Sequence, residues 1–115
     1  MLGGVTDQRF DELVDEAIDG IPEEFLRELG NVVILVADRN PDEPELLGLY
    51  EGVPLTERTA DHWGMPDVIH VYRDALLDFC RSEEELVEQV RITVVHEVGH
   101  FFGMDEDDLE RLGYA

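Results

Sequence analysis

The sequence has one cysteine and no lysine, so its eight basic residues are all arginine, against 29 acidic residues. The single Cys80 excludes an intrachain disulfide and fits a reducing compartment. The formal net charge of -21 repels phosphate backbones and anionic lipid, because nucleic-acid binding takes most of its affinity from cationic contacts. We therefore expect neither nucleic acid nor a membrane surface as a partner. Basic peptides or basic protein segments suit this charge better, and the alternative is that the charge only keeps the protein soluble.

Long apolar runs are also missing. No stretch approaches the roughly 18 apolar residues of a membrane span, and residues 1–7 lack a basic region followed by an apolar core. These absences predict a cytoplasmic protein without a secretory signal. The length of 115 residues and the hydrophobic fraction of 43% fit a single domain over residues 1–115, and the oligomeric state stays open.

The most distinctive stretch is residues 96–100, which read H-E-x-x-H within an apolar-periodic segment that begins near Ser82. On an α-helix, residues four apart project from one face, so His96 and His100 can bind the same metal ion. Zn²⁺ favours imidazole nitrogen, and a catalytic zinc site keeps one position for water. Glu97 flanks the histidine pair, and we predict that it is the general base.

A third metal ligand is expected beyond the helix. Residues 96–106 read H-E-x-x-H-x-x-G-x-x-E, which resembles the extended metzincin signature with Gly103 at the turn. The resemblance implies that Glu106 is the third ligand, where that signature usually has histidine or aspartate. Asp105 is the alternative, but Asp is a favoured N-cap and a periodic acidic stretch follows it. We assign Asp105 to the helix cap and Glu106 to the metal.

The similarity extends beyond the motif. Residues 53–58, 63–64 and 94–103 together resemble the small bacterial zincin-like metallopeptidases, sometimes described as minimal metalloproteases. This resemblance covers most of the chain. It implies a zincin-like α+β fold with a zinc site on the helix that carries H-E-x-x-H, and it leaves the substrate undefined.

The apolar pattern predicts an α+β domain in which helices pack against one face of a small mixed sheet. Residues 31–38 form a continuous β-branched run and are expected as a central strand, with residues 46–51 antiparallel to it. Residues 68–73 alternate and are expected as a half-exposed edge strand beside the metal helix, where an extended substrate would pair. Helices are predicted at residues 6–19, 23–29, 74–81 and 82–102, and again after Asp105.

Three further residues are candidates for roles at the site. Trp63 could line a substrate pocket or anchor its loop, and His62 could approach the metal or stay exposed. Tyr72 could stabilise an oxyanion, although it shares with His70 what is more often a solvated strand face.

The leading hypothesis is a zinc-dependent peptidase in which Glu97 takes a proton from the attacking water. The alternative is a metal-binding module without catalysis, whose acidic surface docks a basic partner. A catalytic zinc keeps an open position, whereas a structural zinc is closed by four protein ligands.

Overall fold

The computed structural model describes residues 2–58 and 66–114 and has the predicted α+β organisation. These residues form five α-helices, three strands and one 3₁₀ turn at Leu55–Glu57. In chain order the elements are α1 (Asp7–Asp19), α2 (Glu23–Glu28), β1 (Val32–Ala37), β2 (Gly48–Glu51), β3 (Asp67–Tyr72), α3 (Arg73–Phe79), α4 (Glu83–Phe101) and α5 (Glu106–Leu112).

The first helix begins and ends where its capping residues predict. The Thr6 side chain accepts a hydrogen bond from the Arg9 backbone N–H at 3.0 Å, and Gly20 is the C-cap. Pro22 is the N-cap of α2. These caps satisfy backbone groups that a helix end leaves without partners, so both predicted helices are confirmed to within one residue.

The long helix α4 carries the H-E-x-x-H motif and crosses the core. Ser82 caps it by accepting from the Glu85 N–H at 3.0 Å. The Glu85 carboxylate accepts from the Arg81 N–H, not from the Ser82 N–H that a reciprocal capping box requires. The side of the helix that faces the core is buried and includes Leu86, Val90, Val94 and Phe101.

The sheet has the order β1-β3-β2, so β3 is its central strand. β1 runs parallel to β3, and β2 runs antiparallel to it with Gly48 opposite Val71. Ile69 and Val71 are fully buried on the inner face, against which α4 packs. The α4 helix therefore lies across β3 and β2, and its C-terminal half comes close to the β2 edge.

This strand order corrects three predictions. β1 is an edge strand, and Val33 and Leu35 on its outer side are 40% and 46% exposed. β2 pairs with β3 and not with β1, and β3 is central where an edge was expected. A β-branched run indicates a strand, and alternation of apolar and polar residues indicates that one face of the strand is buried. Neither pattern indicates which strands lie beside it, and for this reason the strand order could not be predicted.

The short helix α3 begins one residue before the predicted helix over residues 74–81 and ends two residues before its end. Leu76 and Leu77 are buried, whereas Phe79 lies on the solvent side of the last turn and is 54% exposed. Cys80 is buried in the hydrophobic core, where a free cysteine packs as a small apolar residue. No helix within residues 2–58 and 66–114 is long and apolar enough to cross a membrane.

Candidate metal centre

The two histidines of the motif face each other from successive turns of α4. The Nε2 atoms of His96 and His100 are 3.1 Å apart, and their ring planes meet at 75°. Two ligands at about 2 Å from a tetrahedral ion lie about 3.3 Å apart. The separation of the two nitrogens therefore matches binding to one ion.

Backbone carbonyls orient both imidazoles through their other nitrogen. His96 Nδ1 is 2.6 Å from the Tyr114 carbonyl oxygen, and His100 Nδ1 is 3.1 Å from that of Met104. A carbonyl oxygen only accepts, so each Nδ1 must be the donor and carry the proton. In the neutral rings, both Nε2 atoms then have a lone pair and point toward the same place.

Glu106 brings a carboxylate oxygen to this place, and that oxygen could be a third ligand atom. Its Oε1 is 2.8 Å from His100 Nε2 and 3.2 Å from His96 Nε2. One ligand atom from each of His96, Glu97 and His100 also lies within 4.8 Å of the others, but Glu97 Oε2 is 4.0 Å from His96 Nε2. Glu106 is thus the carboxylate closer to both imidazoles, and Glu97 lies beside them.

Asp105 is held away from this group of ligand atoms by its role at the start of α5. Its Oδ1 accepts from the Asp108 N–H at 2.8 Å, and Asp108 Oδ2 accepts from the Asp105 N–H at 3.2 Å. This is a complete capping box and confirms Asp105 as the N-cap. The cap places Glu106 in the first turn of α5, with its side chain toward the histidines.

Glu97 is the buried acid of the site, with only 7% of its surface exposed. Burial raises the pKa of its carboxyl, and the charge of Glu106 acts in the same direction. Positive charge on His96 or His100 opposes this shift, as does a hydrogen bond from the Tyr50 backbone N–H. A carboxyl of raised pKa beside imidazoles in a cleft is a typical proton acceptor in catalysis.

The edge strand β2 lies directly against this part of α4 because Gly48 has no side chain. A Cβ at Gly48 would be 2.7 Å from Thr93 Cγ2 and 3.3 Å from Glu97 Cγ. Any larger residue would push the strand away from the helix. Gly48 therefore sets the short distance between the β2 backbone and Glu97.

A buried acid holds the loop that follows β2. Asp67 Oδ2 accepts from the Tyr50 hydroxyl at 2.6 Å and from the Arg58 guanidinium. Arg58 also donates to the Val53 carbonyl at 2.8 Å and lies over the Phe101 ring at 5.2 Å. Burial and Asp67 both raise the pKa of Tyr50, so its hydroxyl remains a hydrogen-bond donor.

Two glycines let the surrounding segments approach the motif. A Cβ at Gly99 would be 2.5 Å from Leu109 Cδ2, so Gly99 is where α5 docks on α4. Gly103 has φ +88° and leaves no room for a Cβ beside Thr56. The turn at Gly103, predicted from the signature, therefore contacts the loop after β2 and redirects the chain toward Glu106.

Together these segments enclose an open cleft of about 640 Å³. Its walls include β2, the loop after it, the motif face of α4 and the start of α5. Three acids line it among the described residues, Glu57, Glu97 and Glu106, and no arginine or lysine does. The arrangement can bind a divalent cation next to a buried base in an acidic cleft.

The sequence profile of zincin-like metallopeptidases matches residues 29–114, which include all of the site. The chain belongs to the zincin-like metallopeptidase family. A solved structure of a conserved hypothetical protein from Thermus thermophilus is also similar, with 26% sequence identity and a TM-score of 0.58. That similarity covers 94% of this chain and 97% of the other. A search of curated proteins found no match.

One candidate residue, Tyr72, lies away from the cleft together with its neighbour His70. His70 and Tyr72 alternate with the buried Ile69 and Val71 and so lie on the opposite side of β3. Their rings are stacked with centroids 5.9 Å apart, and the Tyr72 hydroxyl accepts a hydrogen bond from the Asn40 side-chain amide at 3.1 Å. The position of Tyr72 therefore gives no support to the predicted oxyanion role.

Neither His62 nor Trp63 lies within the described residues, so their predicted roles stay predictions.

Several groups at the site were not predicted from the sequence, and only one of them, Gly48, is marked by a local sequence pattern. Gly48 interrupts an apolar strand, a pattern that often marks close backbone approach. The Tyr50 N–H and the Tyr114 carbonyl are backbone groups, which no side-chain pattern reports. The hydrogen bonds of Asp67 with Arg58 and Tyr50 join residues from three segments of the chain, so no local pattern indicates them.

Proposed function

We propose that this protein hydrolyses peptide bonds with a zinc ion held by His96, His100 and Glu106. One observation carries the proposal. His96 Nε2, His100 Nε2 and Glu106 Oε1 lie within 3.2 Å of one another, and the Nδ1–H group of each histidine donates to a backbone carbonyl. Lone pairs brought together in this way repel each other unless a cation lies among them. Within residues 2–58 and 66–114 these three groups converge on one point, and three protein ligands with one position for water are typical of catalytic zinc.

Zinc bound there would lower the pKa of a coordinated water and polarise the scissile carbonyl. Proton transfer is carried out by residues of the chain. Glu97, buried and 4.0 Å from His96 Nε2, takes a proton from the attacking water and delivers it to the leaving amine. The Tyr50 backbone N–H lowers the pKa of the Glu97 carboxyl and so favours the carboxylate form that accepts this proton.

The substrate is proposed to bind as an extended chain along β2. Among the described strands, β2 forms the sheet edge that lines the cleft. An edge strand offers backbone N–H and C=O groups to a peptide that adds to the sheet. This assignment replaces β3, which is central and has both sides paired. Gly48 keeps the bound peptide within reach of Glu97.

Basic peptides are the proposed substrate class. The described cleft residues include Glu57, Glu97 and Glu106 without a compensating arginine, and the whole chain carries a net charge of -21. Such a field raises the local concentration of cationic chains and lowers that of anionic ones. Peptides with arginine or lysine near the scissile bond should be cleaved faster than the same peptides with glutamate there.

The test compares the native protein with Glu97→Gln in metal analysis and in hydrolysis of a peptide library. Zinc stoichiometry should be unchanged, and the rate should fall about 10² to 10⁴-fold, the usual contribution of a general base. Glu84→Gln is the matched control, because Glu84 is exposed on the same helix outside the cleft, and it should hydrolyse at the native rate.

Full activity of Glu97→Gln would refute this mechanism. Stoichiometric zinc without hydrolysis of any peptide by the native protein would instead favour the metal-binding module.

A further inference from the structure

The two histidines of the motif are oriented by different parts of the chain. The partner of His100 is the Met104 carbonyl, one turn further along the same segment. The partner of His96 is the Tyr114 carbonyl at 2.6 Å, which comes from beyond the far end of α5. The orientation of His96 therefore depends on how the chain leaves α5.

The chain reaches His96 through a sharp reversal at Gly113. Gly113 has φ +88°, and its N–H donates to the Glu110 carbonyl at 3.1 Å. The Tyr114 N–H donates to the Leu109 carbonyl at 2.8 Å. This pair of bonds is a Schellman motif, which needs a left-handed residue at the position of Gly113. The motif turns the Tyr114 carbonyl back toward α4.

Arg91 holds Tyr114 in this position from α4. Its guanidinium carbon is 5.6 Å from the centre of the Tyr114 ring, a cation–π contact. Arg91 is itself paired with Glu88 on the same helix, with N and O atoms 2.5 Å apart. The Tyr114 segment is thus attached to α4 at two places, the Arg91 guanidinium and the His96 ring.

We propose that Gly113 and Tyr114 are positioning residues that fix His96 as a metal ligand. The inference rests on the proposed metal site and assigns it a support that the H-E-x-x-H motif does not contain. The Tyr114 carbonyl keeps the proton of His96 on Nδ1 and so leaves Nε2 free to bind metal. Loss of such a partner typically weakens metal binding about 10 to 100-fold.

The experiment compares Gly113→Ala with Gly4→Ala in zinc affinity, measured by competition with a chromophoric chelator. Both glycines have positive φ, +88° and +81°, and a Cβ at either would meet nothing within 4 Å. Each substitution therefore strains the backbone in the same way without a clash. Gly113→Ala should weaken zinc binding about 10-fold, and Gly4→Ala should leave it unchanged.

A spectroscopic readout separates positioning from general loosening of the fold. Histidine ring ¹⁵N shifts in the zinc-loaded protein report which nitrogen carries the proton. In Gly113→Ala the His96 Nδ1 proton signal should broaden or be lost, while His100, held by Met104, serves as the internal standard. Arg91→Met should weaken zinc binding in the same direction, and Glu88→Gln, which removes only the ion pair, should not.

The outcomes distinguish this inference from the function on which it rests. If the native protein binds no zinc, the proposed function fails. If it binds zinc and Gly113→Ala binds equally well, or if the two alanine variants weaken binding equally, the positioning role is refuted.

Discussion

The two helices that meet at the candidate metal centre are held in place by different means. α4 has 19 residues, of which eight are buried, and it contacts α1, α3 and two strands. α5 has seven residues, of which one, Leu109, is buried. The core therefore places the backbone of the H-E-x-x-H motif, whereas Glu106, and through the Tyr114 carbonyl the ring of His96, depend on α5 and its contact with Gly99.

This difference divides the site into two parts. We call α4 the rigid half, and the other half, α5 with Glu106, depends for its position on few contacts. Segments with few buried contacts open locally at a lower free-energy cost than the core does. A ligand that binds only the closed arrangement stabilises it in proportion to its affinity and concentration. We therefore expect metal binding to stabilise α5 much more than α4, and the following predictions test that contrast.

The largest expected effect comes from removing one buried leucine from each helix. Leu86 and Leu109 are almost fully buried, and Leu→Ala at such sites lowers the free energy of unfolding by about 2–5 kcal/mol. Denaturant unfolding should show a loss in this range for Leu86→Ala without a change in zinc affinity. Leu109→Ala should also weaken zinc binding, because the docking of α5 on Gly99 is lost. Equal zinc affinity in both variants would remove the contrast between the helices.

A smaller effect is expected from the two N-caps. Ser82 caps α4 and Asp105 caps α5, each by accepting from the N–H three residues later. Replacing either residue with alanine should cost about 1 kcal/mol in denaturant unfolding. Only Asp105→Ala should weaken zinc binding, because only that cap positions Glu106. A fall in zinc affinity for Ser82→Ala would contradict the assignment of α4 as the rigid half.

A further effect appears only at alkaline pH and concerns Cys80, just before α4. Burial raises the pKa of its thiol from 9.0 to about 11, with the charge of Glu85 acting in the same direction. The folded protein then retains a proton that the unfolded chain loses above about pH 9, so this contribution to stability is present below pH 9 and is lost between pH 9 and 11. The pH dependence of unfolding should be shallower in Cys80→Ala over that interval.

The reactivity of the same thiol tests whether the core around α4 depends on bound metal. Cys80 should react slowly with a thiol reagent at neutral pH, and removal of metal with a chelator should not speed the reaction. Faster labelling after chelation would show that the core side of the protein also depends on the metal.

Much of the local structure could be predicted. The starts of α1, α4 and α5 follow from Thr6, Ser82 and Asp105, because a cap acts on N–H groups within three residues. The separation of His96 and His100 by one helical turn follows from the motif in the same way. The assignment of Asp105 to the cap was correct because its partner, Asp108, is in the same turn.

The amino-acid sequence by itself determined the helices, the three strands and the convergence of two imidazoles, since each depends on residues within a turn or on a strand period. Only the tertiary structure decided which strand is central, how closely Gly48 brings β2 to Glu97, and that the Tyr114 carbonyl orients His96. These contacts join groups distant along the chain, and several involve backbone atoms that every residue has. No local pattern of side chains can therefore specify them.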